Sequence, residues 1–186
     1  MFDDEVIPGV RPARVSEPAQ SPLEEEVVGL FDQLQDRLLR YLLSLGLPVP
    51  DGEEIVQEVF LALFRHLQRG KPRHNLRAWV FQVAHNLALK QRNTNRQRLA
   101  ERIDSPPENV FVDRSPSPED QFTGNQRRIR LQGVLQALPE QDRTCLSLRA
   151  EGLTYREIAQ VLDISLGAVS LSLARSLARF ARADER

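Results

Sequence analysis

The stretch Thr154–Arg175, TYREIAQVLDISLGAVSLSLAR, constrains this chain more than any other. Thr154 followed three residues later by Glu157 is a capping box, which fixes a helix start because each side chain satisfies a backbone amide at the other position. Ile158, Ala159, Val161 and Leu162 give that helix an apolar face, and the small Ala159 lets a second helix cross closely. Asp163 stands at the turn, Ile164 plugs it, and Ser165 is a cap for the next helix. Val169 and Leu173, four positions apart, face back toward the first helix. Two short helices so arranged are a device for setting the second one into a DNA major groove. An ordinary helical hairpin in a bundle does not need small, apolar and turn residues all in this register.

The 186 residues, 41% of them hydrophobic, suffice for one large or two small domains with real cores. No apolar run is long enough to span a membrane, and the start MFDDEVIPGV has neither the basic residues nor the apolar core of a signal peptide. The single cysteine, Cys145, rules out an internal disulfide framework and fits a reducing cytoplasm. It lies among Leu138, Leu146 and Leu148, as a small buried hydrophobe would. His66, His74 and His85 have no metal-ligand spacing with one another or with Cys145. No phosphate-cradling glycine loop or nucleophile elbow is present. The expectation is a chain that is no enzyme and needs no metal or cofactor.

The net charge of −1 hides a segregation. Residues 1–61 hold 4 basic and 13 acidic side chains, and residues 62–102 hold 10 basic and 1 acidic. Residues 103–122 are acidic again, with 5 acids and 1 base, and residues 123–186 carry 10 bases and 7 acids. Such asymmetry points to nucleic acid at one surface and a basic partner at another. The basic block contains Lys71, Arg73, His74, Arg77, Lys90, Arg92, Arg96, Arg98 and Arg102 around Trp79 and Phe81. Cations there would neutralise phosphates, and aromatic faces or loop pockets would hold unstacked bases, although Trp79 itself reads better as core.

Periodicity predicts an all-α protein of two small helical domains joined by a flexible linker. Residues 1–22, with Pro8, Pro12, Pro18 and Pro22, read as a disordered tail. Residues 23–102 read as the first domain. Its first helix begins near Leu23 and is ended by Gly46 and the Pro48–Pro50 pair. A second is restarted at Asp51 and Glu54 by acidic capping, and a third runs from about Leu76 to Leu99. Residues 103–122, with four prolines and five acids, read as the linker. Residues 123–186 form the second domain, starting near Gly124 and closing with the helix-turn-helix.

With these motifs in order, the chain resembles a bacterial RNA polymerase sigma factor of the extracytoplasmic-function (ECF) class of the sigma-70 family. DGEEIVQEVFLALFRHL is similar to the second segment of that family's first domain, and NLRAWVFQVAHNLALKQRN to its helix that opens and reads the −10 element. LQALPEQDRTCLSLRAEGLTYREIAQVLDISLGAVSLSLAR is similar to its C-terminal domain, which reads the −35 element. The resemblance implies that Asp51, Glu54, Gln57 and Glu58 dock on the coiled coil of the polymerase β′ subunit, with the β flap as a further contact. It implies that the loop Gly70–Asn75, hence Lys71, Arg73, His74 and Asn75, captures a flipped −10 base, with Arg77, Asn86 and Arg92 on the adjacent helix. It also implies that Arg156, Ser165, Ala168, Ser170, Ser172, Arg175 and Arg179 meet −35 DNA. The acidic linker Asp104–Asp120 would run toward the RNA exit path. An anti-sigma protein is a common partner in the family.

The recognition helix departs from the family pattern. Ser170 and Ser172 stand where a Lys and an Arg are frequent, and Ala168 stands for a Thr. Each lost phosphate contact removes about 0.9 from the salt slope of binding, so the expectation is weak −35 binding with little salt dependence, using Ser hydroxyls and shape. Lys90 stands where an Asp is frequent, and Asp163 replaces the usual turn Gly, a change that a residue tolerant of left-handed backbone survives. The competing reading is a helix-turn-helix regulator that acts without polymerase. It leaves the acidic face of the second helix and the basic block unexplained.

Overall fold

Ser21 opens the first helix. Its hydroxyl accepts from the Glu24 amide at 3.3 Å, and Glu24 Oε2 accepts from the Ser21 amide at 2.9 Å, so a capping box with Pro22 in the first turn starts α1 (Pro22–Ser44). The computed structural model describes residues 21–101 and 121–184. The expected tail and linker fall outside them, except at their last residues. Ser21 and Pro22 belong to a helix start, and Gln121 already begins α4.

α1 ends at Leu45 and Gly46, the latter at φ 85°, a conformation that glycine adopts without steric cost. α2 (Val49–Gln68) begins two residues before Asp51, with Pro48 at its cap and Pro50 in its first turn. Asp51 therefore does not cap α2. Its Oδ2 accepts instead from Gln91 Nε2 (3.1 Å) and Asn95 Nδ2 (2.9 Å), tying α2 to α3. At Gly52 a Cβ would lie 2.9 Å from Leu39 Cδ1, so this glycine lets α1 and α2 cross closely. Nearby, Phe31 meets Phe60 edge to face at 4.9 Å.

α3 (Leu76–Glu101) follows the loop and buries Ala78, Val80, Phe81, Ala84 and Ala88. Phe81 is wholly buried, so it cannot stack on a base, whereas Leu89 is exposed. Trp79 is half-buried against His66, ring centroids 4.6 Å apart.

The C-terminal half contains α4 (Gln121–Gln136), α5 (Glu140–Ala150), α6 (Tyr155–Leu162) and α7 (Leu166–Asp184). Thr154 and Glu157 form the expected capping box of α6. Asp163 sits at φ 52°, ψ 47°, the left-handed turn that the sequence required of it. The Ser165 hydroxyl accepts from the Ala168 amide at 3.1 Å. Between α6 and α7 the chain bends by 108°, within the range of helix-turn-helix units. Cys145 is fully buried, as expected.

The two halves share one continuous apolar cluster. Leu38, Tyr41, Phe81 and Ala84 from the first join Cys145, Leu148, Leu153 and Ile158 from the second, with α6 against α3 and α5 against α1. Among the described residues every helix-forming segment is α, and no single helix is long and apolar enough to cross a membrane.

Candidate nucleic-acid interface

The basic loop between α2 and α3 is shaped by two positive-φ residues, Gly70 (66°) and Asn75 (56°). His66 bridges back to it, its Nε2 lying 3.1 Å from the Pro72 carbonyl oxygen. Lys71, Arg73, His74 and Asn75 are all exposed on this loop, and Asn86 is exposed on α3. Arg73 pairs with Glu26 of α1.

The remaining −10 candidates turn to the other half of the chain. Arg77 makes a bidentate pair with Glu157, Nε–Oε1 2.9 Å and Nη2–Oε2 2.6 Å. Asn75 Nδ2 donates to Gln160 Oε1 at 2.7 Å, and Arg92 Nη1 to Glu140 Oε1 at 2.7 Å. Arg40 adds a further bidentate pair with Glu151, at 3.2 and 2.9 Å. Acidic and amide side chains of α5 and α6 thus occupy cations and an amide assigned to DNA, and the turn between them holds Arg40. The separation of these partners, 48 to 111 positions, is why no periodicity showed them.

Glu157 serves two structures at once. Its Oε2 also accepts from the Thr154 amide (2.7 Å) and hydroxyl (2.8 Å). Burial works to raise its pKa, but the hydrogen bonds from Arg77 and Thr154 outweigh it and hold the carboxyl below its ordinary value. Glu140 is held low by its hydrogen bond from Arg92.

On α2, Glu54, Gln57 and Glu58 are exposed along one face, with Glu53 beside them. Asp51 stands apart from that face, half-buried and engaged by Gln91 and Asn95. In this structure its carboxylate serves as an internal tie between α2 and α3.

The −35 candidates divide in the same way. Arg156 and Ser170 are exposed. Ser165 caps its own helix, and Ala168 is half-buried. Ser172 is 0% exposed, its hydroxyl against Asp142 and Cys145, so it is no surface contact. Arg175 makes a bidentate pair with the buried Asp142, at 3.1 and 2.7 Å, and this hydrogen bonding holds the Asp142 carboxyl below its usual range. Arg179 donates to the Ala137 carbonyl oxygen at 3.1 Å. Large exposed side chains on α7 that the sequence reading passed over are Leu166, Leu171 and Leu177. Among the described residues no group of three His, Cys, Asp or Glu side chains could hold a metal ion.

Comparison with known proteins agrees with this layout. The family described as sigma-70 region 2 matches residues 30–98, and sigma-70 region 4 matches residues 128–180. The chain is 31% identical over 143 residues to the ECF RNA polymerase sigma factor SigE of Mycolicibacterium smegmatis, across 75% of this chain and 54% of that protein. It therefore spans about half the length of that relative. It is 33% identical over 130 residues to the ECF RNA polymerase sigma factor ShbA of Streptomyces griseus, across 69% of this chain and 66% of the relative. A solved structure of the sigma factor RpoE of Bartonella quintana, in complex with the anti-sigma factor NepR, shares the fold. Its TM-score is 0.65 at 17% identity, over 87% of this chain and 98% of that one. With both regions matched in the family's order on helices that carry the basic loop and the helix-turn-helix, the chain belongs to the sigma-70 family of RNA polymerase sigma factors, in its ECF class.

Proposed function

We propose that this chain binds core RNA polymerase and directs it to promoters, reading −10 DNA with the first half and −35 DNA with the second. One observation carries the reading. The helix-turn-helix of α6 and α7 and the basic loop–α3 unit lie on one chain, in the order of sigma regions 2 and 4. A regulator acting without polymerase has no use for the second unit. The role is one of binding rather than catalysis, and the place of action is the cytoplasm.

The exposed face Glu54, Gln57 and Glu58 suits the β′ coiled coil, and the C-terminal half suits the β flap. Lys71, Arg73, His74, Asn75, Arg77, Asn86 and Arg92 are assigned to the −10 strand. Arg77, Asn75 and Arg92 reach it only when Glu157, Gln160 and Glu140 let go. An anti-sigma protein of the kind solved with the Bartonella factor is a further partner under this reading.

Gel filtration with purified bacterial core polymerase, followed by transcription from a pool of promoter fragments, tests it. Co-elution with new start sites is expected. Duplex binding without co-elution would overturn the polymerase assignment in favour of a stand-alone regulator.

A further inference from the structure

The outer surface of the first turns of α7 has almost no hydrogen-bonding reach. Leu166 is 48% exposed and Leu171 56%, and Gly167, Ser170 and Ala174 are exposed beside them. The polar side chains that could have read base edges point elsewhere. Ser172 is buried, Arg175 is clamped by Asp142, and Arg179 is bonded to the Ala137 carbonyl. What remains for a groove is two leucines, an alanine and one hydroxyl.

Most base-edge groups in a major groove are hydrogen-bond donors or acceptors, and these need partners with polar arms. The one large apolar group there is the C5 methyl of thymine. We infer that α7 reads its duplex through thymine methyl groups, with Leu171 and Leu166 as the specificity-determining contacts, Ala174 shaping the surface and Ser170 supplying a single hydrogen bond. The occupant of this face is thymine-bearing duplex DNA. The 108° bend between α6 and α7 presents the start of α7 as helix-turn-helix proteins present a recognition helix. Charge agrees: α7 carries Arg175, Arg179 and Arg182 against the single acid Asp184, and Arg156 is exposed on α6. A polyanion suits this border. The inference rests on the reading of α7 as the −35 reader and specifies how that reading is done.

The test uses the full chain with core RNA polymerase and promoter fragments whose −35 segment is randomised. Recovered fragments should carry thymine at fixed −35 positions. The preferred element is then synthesised with uracil for thymine, which removes only the methyl. Binding should fall about three- to fivefold per essential methyl, as expected for one buried carbon. Leu171→Ala, at an exposed site where truncation spares the core, should lose the discrimination at the thymine that Leu171 touches and keep it at the one that Leu166 touches, and the double change with Leu166→Ala should bind thymine and uracil elements alike. Equal binding of both elements by the unaltered complex would overturn the inference. Recovered fragments with no preferred sequence at −35 would overturn the −35 reading itself, and this proposal with it. If Leu171→Ala instead weakens assembly with polymerase, while the complex that does form still discriminates thymine from uracil at every position, the face belongs to a protein partner and the inference is wrong.

Discussion

Arg77 on α3 and Glu157 on α6 lie 80 positions apart in sequence and share two hydrogen bonds of 2.9 and 2.6 Å. Glu157 is only 8% exposed, and the same carboxylate closes the first turn of α6. Arg77→Ala leaves this acid partly buried with Thr154 as its remaining donor, which costs about 1–3 kcal/mol. The melting temperature should fall by about 2–4 °C for each kcal/mol in a chain of this size, as read by calorimetry. An unchanged melting curve would show that the pair adds nothing to the contact between the halves.

Two of the cross-half pairs can be weakened without touching a residue assigned to DNA. Arg40→Ala removes the partner of Glu151, and Glu140→Gln removes the charge facing Arg92. Each pair is worth little alone. Together their loss should enlarge the radius of gyration in small-angle scattering and tighten capture of a −10 single strand about three- to tenfold. Tighter capture without expansion would mean that Arg92 alone was being masked.

Acid should loosen the molecule in two stages. His85, half-buried with its Nδ1 2.7 Å from the Tyr41 hydroxyl, is held below its ordinary pKa by burial and then by Arg92, with Glu140 pulling the other way. The unfolded chain therefore takes up this proton first. Stability is full above about pH 6.5 and declines as pH falls from there toward the folded-state value. A second decline begins near the ordinary carboxylate range, about pH 4–4.5, as Glu157, Glu140 and Asp142, all held low, become protonated. Urea unfolding across this range should show both limbs, and His85→Gln should flatten the first only.

Restoring cations to α7 should separate Ser170 from Ser172. Ser170→Arg places a guanidinium on the surface. It should tighten duplex binding and steepen the salt slope by about 0.9, in fluorescence anisotropy across salt concentrations. Ser172→Arg forces a charge into a fully buried position beside Cys145. It should destabilise the C-terminal half severely, by the mechanism that penalises buried charge. Equal tolerance of both changes would contradict the orientation of α7.

Asp163 offers a cleaner check of backbone strain. At φ 52° a β-branched side chain is costly, so Asp163→Val should lose about 1–2 kcal/mol, while Asp163→Gly should change stability little. Chemical denaturation distinguishes the two.

Local chemistry was legible in the chain. Thr154 with Glu157, Asp163 and Ser165 announced the helix-turn-helix, and the spacing of Ile55, Val56, Val59, Phe60 and Leu63 in the sequence is that of the helix they form in α2. Ser21 with Glu24 carried the same signal but was absorbed into a proline-rich stretch, where Pro22 was taken as a breaker rather than a first-turn residue. Ser172 was misplaced for a different reason. It lies three positions after Val169 and four before Ser176, both buried, a spacing that sets it on the inner face, while the family pattern put it on DNA. Asp51 reads in the sequence as a helix cap and a docking acid, because Gln91 and Asn95, its partners in the fold, lie 40 and 44 residues away. The pairs across the halves are longer-range still, and only the assembled fold brings them together.

Those pairs are intramolecular, and residues 102–120 tether their two sides. A segment of such length keeps Glu157, Gln160 and Glu140 at an effective concentration of about millimolar around Arg77, Asn75 and Arg92. A strand of DNA in solution competes with that local supply, not with water. The separated halves, mixed at micromolar concentrations, would not experience this competition. An isolated N-terminal fragment would bind the −10 strand more tightly than the whole chain does, and the difference would measure how strongly the protein occupies its own site.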